Sequence, residues 1–127
     1  MLAVVERATG EMVGDCGPML MDTGHGAHVE LGWHIRADRQ RQGFATEAGA
    51  ACRDEAWRVL GVDHLISIIR PENVPSWSVA RRLGFAPWRG DVRAGMAHVL
   101  WRLERPSAIA LCDPRVHTRV KTVPSAS

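Results

Sequence analysis

Arg39-Gln40-Arg41-Gln42-Gly43-Phe44-Ala45-Thr46-Glu47-Ala48 is the stretch on which the reading of this chain turns. It lies between an apolar, strand-like run and a helical pattern. Gln40 to Ala45 has the form Q-x-x-G-x-A, with cations at Arg39 and Arg41. The first four amides of a helix have no internal partner, and the helix dipole makes that end positive. A small-residue turn opening a helix is therefore suited to hold phosphate on its backbone. The same residues also read as an ordinary strand–turn–helix connection with solvated arginines. Alone, the stretch leaves both readings open.

On the N-terminal side, Val29, Leu31, Trp33 and Ile35 alternate with His28, Glu30, Gly32 and His34. Period-2 geometry puts the first set on a core face and the second on a polar face. A polar row on a mid-sheet strand reads as a cleft or as a solvated face. Further back, Leu2–Glu6 and Met12–Met21 are short apolar runs around the turn residues Ala8-Thr9-Gly10-Glu11, a hairpin pattern. Gly14 and Gly17 mark bulges or close backbone approach.

On the C-terminal side, Ala48, Cys52, Ala56, Val59 and Leu60 fall at helical spacing, so a helix is predicted over 45–60 with Gly61 as its cap. His64–Ile69 reads as a buried strand. Pro75–Leu83 reads as a second helix closed by Gly84. Phe85–Trp88 and Ala97–Leu103 read as strands joined by a turn over Asp91–Gly95. Residues 105–127, with three prolines and no period, are expected to be a poorly ordered tail behind a domain of residues 1–104. The order β-β-β-α-β-α-β-β implies an α/β (α+β) domain: a mixed, mainly antiparallel sheet with a central β-α-β crossover.

The second informative stretch is Arg70–Phe85, in which Asn73 is followed by Ser76 and then by Arg82-Leu83-Gly84-Phe85. Together with Gln40–Ala45 it resembles the GNAT superfamily of acyl-CoA-dependent N-acetyltransferases, most closely the ribosomal-protein N-terminal acetyltransferase type. The resemblance covers about residues 2–104. It implies that acetyl-CoA is the co-substrate, with its pyrophosphate on the glycine-containing turn and its pantetheine arm beside Asn73 and Ser76. The residues so implied are Ile35, Arg36, Gln40, Arg41, Gln42, Gly43, Phe44, Ala45, Thr46, Asn73, Ser76 and Arg82. Asn73 and Ser76 also read as helix-capping residues, and Arg81 and Arg82 as a solvated helix face. Family members begin with a further strand and two helices, whereas here Met1 falls where the second strand starts. The chain is accordingly expected to be a shortened form, a truncated product, or a protein whose start is mis-assigned. A homodimer is one way to cover the exposed sheet face.

Acetyl transfer requires a placed and polarised thioester carbonyl, a neutral amine and a stabilised leaving thiolate. Glu30, on the polar face, is the candidate base; it also reads as an ordinary polar residue on a wet strand. His28 and His34 are the next candidates. Many members of the superfamily place a tyrosine beside the second helix as the acid. This chain has no tyrosine, and Ala80 stands at that position. Cys52 reads as core.

Composition narrows the alternatives. The chain has 127 residues, 46% hydrophobic and 24% charged, as expected of one globular domain. No run reaches the ~18 apolar residues that span a membrane. Three scattered cysteines suit a cytoplasmic protein without a disulfide framework, and no spacing specifies a metal. A net charge of +2 permits an anionic ligand. A nucleic-acid reading through Arg36, Arg39, Arg41, Arg81 and Arg82 lacks interleaved aromatics. The sequence thus supports an N-acetyltransferase acting on a primary amine, or a binding-only acyl-CoA module on the same scaffold.

Overall fold

The alternating and helical periods resolve, in a computed structural model that describes residues 1–106 and 121–124, into one sheet with two helices packed on it. Leu2–Val5 (β1), Met12–Thr23 (β2) and Gly26–Ile35 (β3) form an antiparallel series. Phe44–Leu60 (α1) then crosses to His64–Ile69 (β4), which pairs parallel to β3. Val74–Arg82 (α2) leads to the hairpin Ala86–Arg93 (β5) and Met96–Glu104 (β6), and Lys121–Pro124 is β7. The sheet order is β5-β6-β4-β3-β2-β1-β7, antiparallel everywhere except β3–β4. This is the mixed, mainly antiparallel architecture with a central crossover that the sequence implies.

Two expectations, the extent of β5 and the turn after it, need correction. β5 runs to Arg93, past Trp88, and the turn is only Ala94-Gly95, at φ 52° and 75°. Those angles suit a tight two-residue hairpin. A bulge between Pro87 and Arg89 breaks the alternation, which is why the strand cannot be read as continuous. In the region expected to be a poorly ordered tail, Lys121–Pro124 pairs antiparallel with β1. The outer edge of β1 offers unpaired backbone groups, and a short segment can take its register from that edge without a pattern of its own. The rest of that expectation, residues 107–120 and 125–127, lies outside the described residues. Gly14 makes a close approach to β3, since a Cβ there would stand 2.0 Å from the His34 carbonyl oxygen.

The main core lies between the sheet and both helices. Val4, Val13, Cys16, Leu31, Trp33, Leu65, Ile69 and Trp101 meet Ala48, Cys52, Ala56 and Trp57 of α1 and Ala80 of α2. Trp57, 1% exposed, is its largest fully buried side chain; truncation of such a residue to alanine typically costs about 3–5 kcal/mol. Gly49 lets α1 approach α2 closely, because a Cβ there would stand 2.7 Å from Leu83 Cδ1. Arg53 Nη1 donates to the Leu83 carbonyl at 3.0 Å, tying α1 to the end of α2. Ile66 and Leu100 are fully buried outside this cluster, on the opposite face. Among the described residues, no helix is long and apolar enough to cross a membrane.

Candidate active site

The turn into α1 is left-handed at Arg41 (φ 63°) and at Gly43 (φ 87°). The first i→i−4 bond of α1 runs from the Glu47 amide to the Gly43 carbonyl at 2.9 Å, so the amides of Phe44, Ala45 and Thr46 precede the internal ladder. A Cβ on Gly43 would meet no atom within 4 Å. Packing does not demand that glycine. Its contributions are the positive φ and the clear space beside the free amides.

These amides face a cavity of about 590 Å³ between the end of β3 and the N-terminal parts of α1 and α2. Ile35, Gln40, Arg41, Gly43, Phe44, Ala45, Thr46, Asn73, Ser76 and Arg82 all line it. The two motifs, thirty residues apart in the chain, therefore share one wall. Arg36 and Gln42 are not among the lining residues. The Arg36 guanidinium instead holds Asp38 in two hydrogen bonds, of 2.8 and 3.0 Å, and Glu11 at 2.7 Å. Arg39 lines the cavity, yet its charge pairs with Glu6 and Glu11, and its guanidinium stacks 5.4 Å from the Phe44 ring. Of the cations around this turn, Arg41 and Arg82 are the exposed ones that face the cavity without a carboxylate partner among the described residues.

Asn73 caps α2, its Oδ1 accepting from the Ser76 amide at 3.3 Å. That leaves its two amide protons and the Ser76 hydroxyl for a ligand. Trp33, Ser78 and Val79 also line the cavity. Sequence reasoning misses them because Trp33 reads as core and α2 is too short to show which face is lined. Trp33 Nε1 is buried and, among the described residues, has no hydrogen-bond partner. An acceptor in the cavity is what this donor lacks, and the carbonyl-rich pantetheine arm of coenzyme A would supply one. The free amides, the exposed arginines and this donor together fit that coenzyme. Ala80 is fully buried between the helices, so a side chain there would enter the core; Ser78 is a hydroxyl on the cavity side of α2.

Beside the cavity the sheet comes apart. β3 and β4 pair at Glu30↔Ile66 alone, although each strand continues toward the cavity. Glu30 stands at the apex of this V, and its Oε2 accepts from the Ile68 amide at 2.9 Å. A side chain thus takes the place of a missing backbone rung. Burial raises the Glu30 carboxyl above its ordinary range, opposed by the Ile68 amide and the nearby Arg93, His34 and His98. With Oε2 engaged, Oε1 is the oxygen left to accept a proton. His34 is exposed and bonded to Asp15 through Nδ1 at 2.9 Å. His28 Nδ1 lies 2.8 Å from His64 Nε2, at the end of β3 remote from the cavity. Neither histidine stands at the apex. Cys52 is buried in the core as expected, beside Cys16, whose thiol is held above its usual range by their hydrogen bond and by burial. No group of three or more metal-ligating side chains is found among the described residues.

A strand V beside a helix-start cradle is the arrangement of an acyl-CoA transferase fold, and comparison with known proteins identifies the family. The family model described as "Acetyltransferase (GNAT) domain" matches residues 1–86, and the chain belongs to that family. It is similar to the uncharacterized N-acetyltransferase YnaD of Bacillus subtilis, 32% identical over 60 residues covering 46% of this chain and 35% of that one. Among solved structures it resembles a putative GnaT-family acetyltransferase from Bordetella pertussis (TM-score 0.71, 30% identity, 79% of this chain and 62% of that one). It also resembles a putative ribosomal-protein-serine acetyltransferase from Vibrio cholerae (TM-score 0.63, 28% identity, 81% and 62%). The chain spans between a third and a half of the length of the curated relatives it matches.

Proposed function

We propose that this domain is an N-acetyltransferase that moves an acetyl group from acetyl-CoA to a primary amine by direct attack in a ternary complex. The observation that carries this reading is the juxtaposition of the phosphate-type cradle, the cavity and the strand V with a half-buried carboxylate at its apex. Acetyl-CoA supplies an acyl group on a thiol leaving group. The amides of Phe44, Ala45 and Thr46 hold its pyrophosphate, helped by Arg41 and Arg82. Asn73, Ser76 and the Trp33 indole orient the pantetheine arm. Glu30 Oε1 takes the amine proton, directly or through one water, while the Ile68 amide fixes the carboxylate. The raised pKa suits that role, since a stronger base is still ionised near neutral pH. The acceptor is a protein N-terminus or a small-molecule amine, the former following the resemblance of Gln40–Ala45 and Asn73–Phe85 together to the ribosomal-protein type.

Titration calorimetry with acetyl-CoA, followed by thiol release over a panel of amines and peptides, tests both steps. Micromolar binding with turnover is expected. Absence of binding at millimolar coenzyme would remove the reading altogether. Binding without turnover would reduce the domain to a coenzyme-binding module.

A further inference from the structure

The polar face of the sheet carries a second constellation, at the side of Glu30 away from the cradle. Register places it. Glu30 pairs with Ile66, and Ile66 with Arg102. Ile68 pairs with Leu100, and Leu100 with Arg89. Paired residues share a face, so Arg89 and Arg102 lie on the same face as Glu30. Arg89 sits two strand spacings, about 10 Å, from Ile68, whose amide holds the Glu30 carboxylate.

The bulge between Pro87 and Arg89 lets Trp88 reach this side as well. The Arg89 guanidinium stands 4.1 Å from the Trp88 ring and that of Arg102 4.9 Å. The tip of the β2–β3 hairpin folds over the face to meet them. His25 Nδ1 lies 2.8 Å from Arg89 Nη1, and the His25 and His28 rings meet Trp88 edge-on at 6.4 and 5.5 Å. The tip thereby touches β5, three strands away in the sheet, and Ile66 and Leu100 are fully buried on this face. The result is a wall of aromatic and basic side chains on the Glu30 face of the sheet.

Charge decides what this wall takes. Arg93 is paired with Asp91 at 3.4 Å and Arg102 with Glu104 at 2.5 Å. Arg89 is exposed and has no carboxylate partner among the described residues; its polar contact is His25. Held over an aromatic ring, its fork is pre-organised for a bidentate anion. Resting on the acetyltransferase reading, we propose that Arg89, buttressed by Trp88 and His25, is a carboxylate subsite for the acceptor. The preferred acceptor is then a peptide amine that carries a carboxylate close to its N-terminus.

Calorimetry with and without coenzyme A compares alanyl-aspartyl-amide, its isostere alanyl-asparaginyl-amide, and alanyl-asparagine with a free C-terminus. The expected result is about tenfold tighter binding of a carboxylate form than of the neutral amide. The preference should collapse in Arg89→Gln and weaken with salt, and the peptide that shows it separates a side-chain from a C-terminal carboxylate. Coenzyme affinity, unchanged by Arg89→Gln, serves as the folding control. Equal binding of all three peptides to the wild type, or a preference that survives Arg89→Gln, would overturn the subsite. An acid preference without thiol release would leave the subsite standing and remove only the catalytic reading.

Discussion

The two sides of the strand V are built on different principles. The cradle side is assembled from contiguous residues: a left-handed turn at Arg41–Gly43, the opening amides of α1 and the cap of α2. The opposite side is assembled from pieces far apart in sequence, namely the His25 turn, Glu30, the Trp88 bulge and Arg102. Backbone amides make a binding site largely independent of side-chain identity. The face beyond Glu30 is made of side chains whose neighbours are set by register, so single substitutions can re-specify it. A general donor site and an adjustable acceptor site can therefore share one sheet.

Substitutions that strike one side and spare the other test this contrast. The largest effect is expected for Glu30→Gln, which should lower turnover by about 10²–10⁴-fold while leaving acetyl-CoA affinity unchanged in calorimetry. In the wild type, kcat/KM should climb through a step above the ordinary carboxylate range, because burial raises Glu30. The variant should lose that step. Its stability gives an independent reading. A carboxyl raised by folding supports the fold while protonated, and that support is lost as pH rises through the raised value. Glu30→Gln should therefore melt close to the wild type near pH 4 and above it at pH 7.

Gly43→Glu comes next. It puts a side chain where φ is 87° and an anion beside the free amides, so acetyl-CoA affinity should fall about 100-fold or more. Peptide binding to the acceptor face should persist, and its loss would show that the two sides are not separable. Gly49→Ala pushes against Leu83 and is expected to cost about 1 kcal/mol in urea unfolding, since overpacking outweighs the gain in helix propensity. The smallest effect is expected for Arg36→Gln. Its guanidinium is committed to Asp38 and Glu11, away from the cavity, so coenzyme affinity should change less than about twofold. A larger loss would extend the cradle beyond the residues that line it.

The same contrast explains what the sequence discloses. Gln40–Thr46 and Asn73–Ser76 are legible because each is a local device with a spacing of its own. Glu30 is legible as the first candidate base of the polar face, ahead of His28 and His34, but not as the residue at the apex. That depends on β3 and β4 pairing at one position, a long-range fact. Arg36, implied by the resemblance, does not line the cavity, and its pairing with Glu11 and Asp38 is a fact of the folded chain that the sequence does not display. Trp33 has the parity of a core residue and is one at 8% exposure, while its indole nitrogen has no partner among the described residues. Arg89 and Trp88 are hidden by the bulge that brings them together.

The V at Glu30 also has a mechanical meaning. β2 and β3 are joined along ten residue pairs, and β4 and β6 along six, but β3 and β4 by one pair, a carboxylate–amide bond and the His28–His64 contact. The sheet is two stiff panels meeting at a seam, with α1 packed on β2 and β3 and α2 against β4 on the core side. Force applied across the strands would open the seam before either panel tore, and at the cavity end the work of opening would fall on the Glu30 carboxylate. Protonating or replacing that carboxylate would therefore change the compliance of the whole molecule, a property that single-molecule stretching can read separately from catalysis.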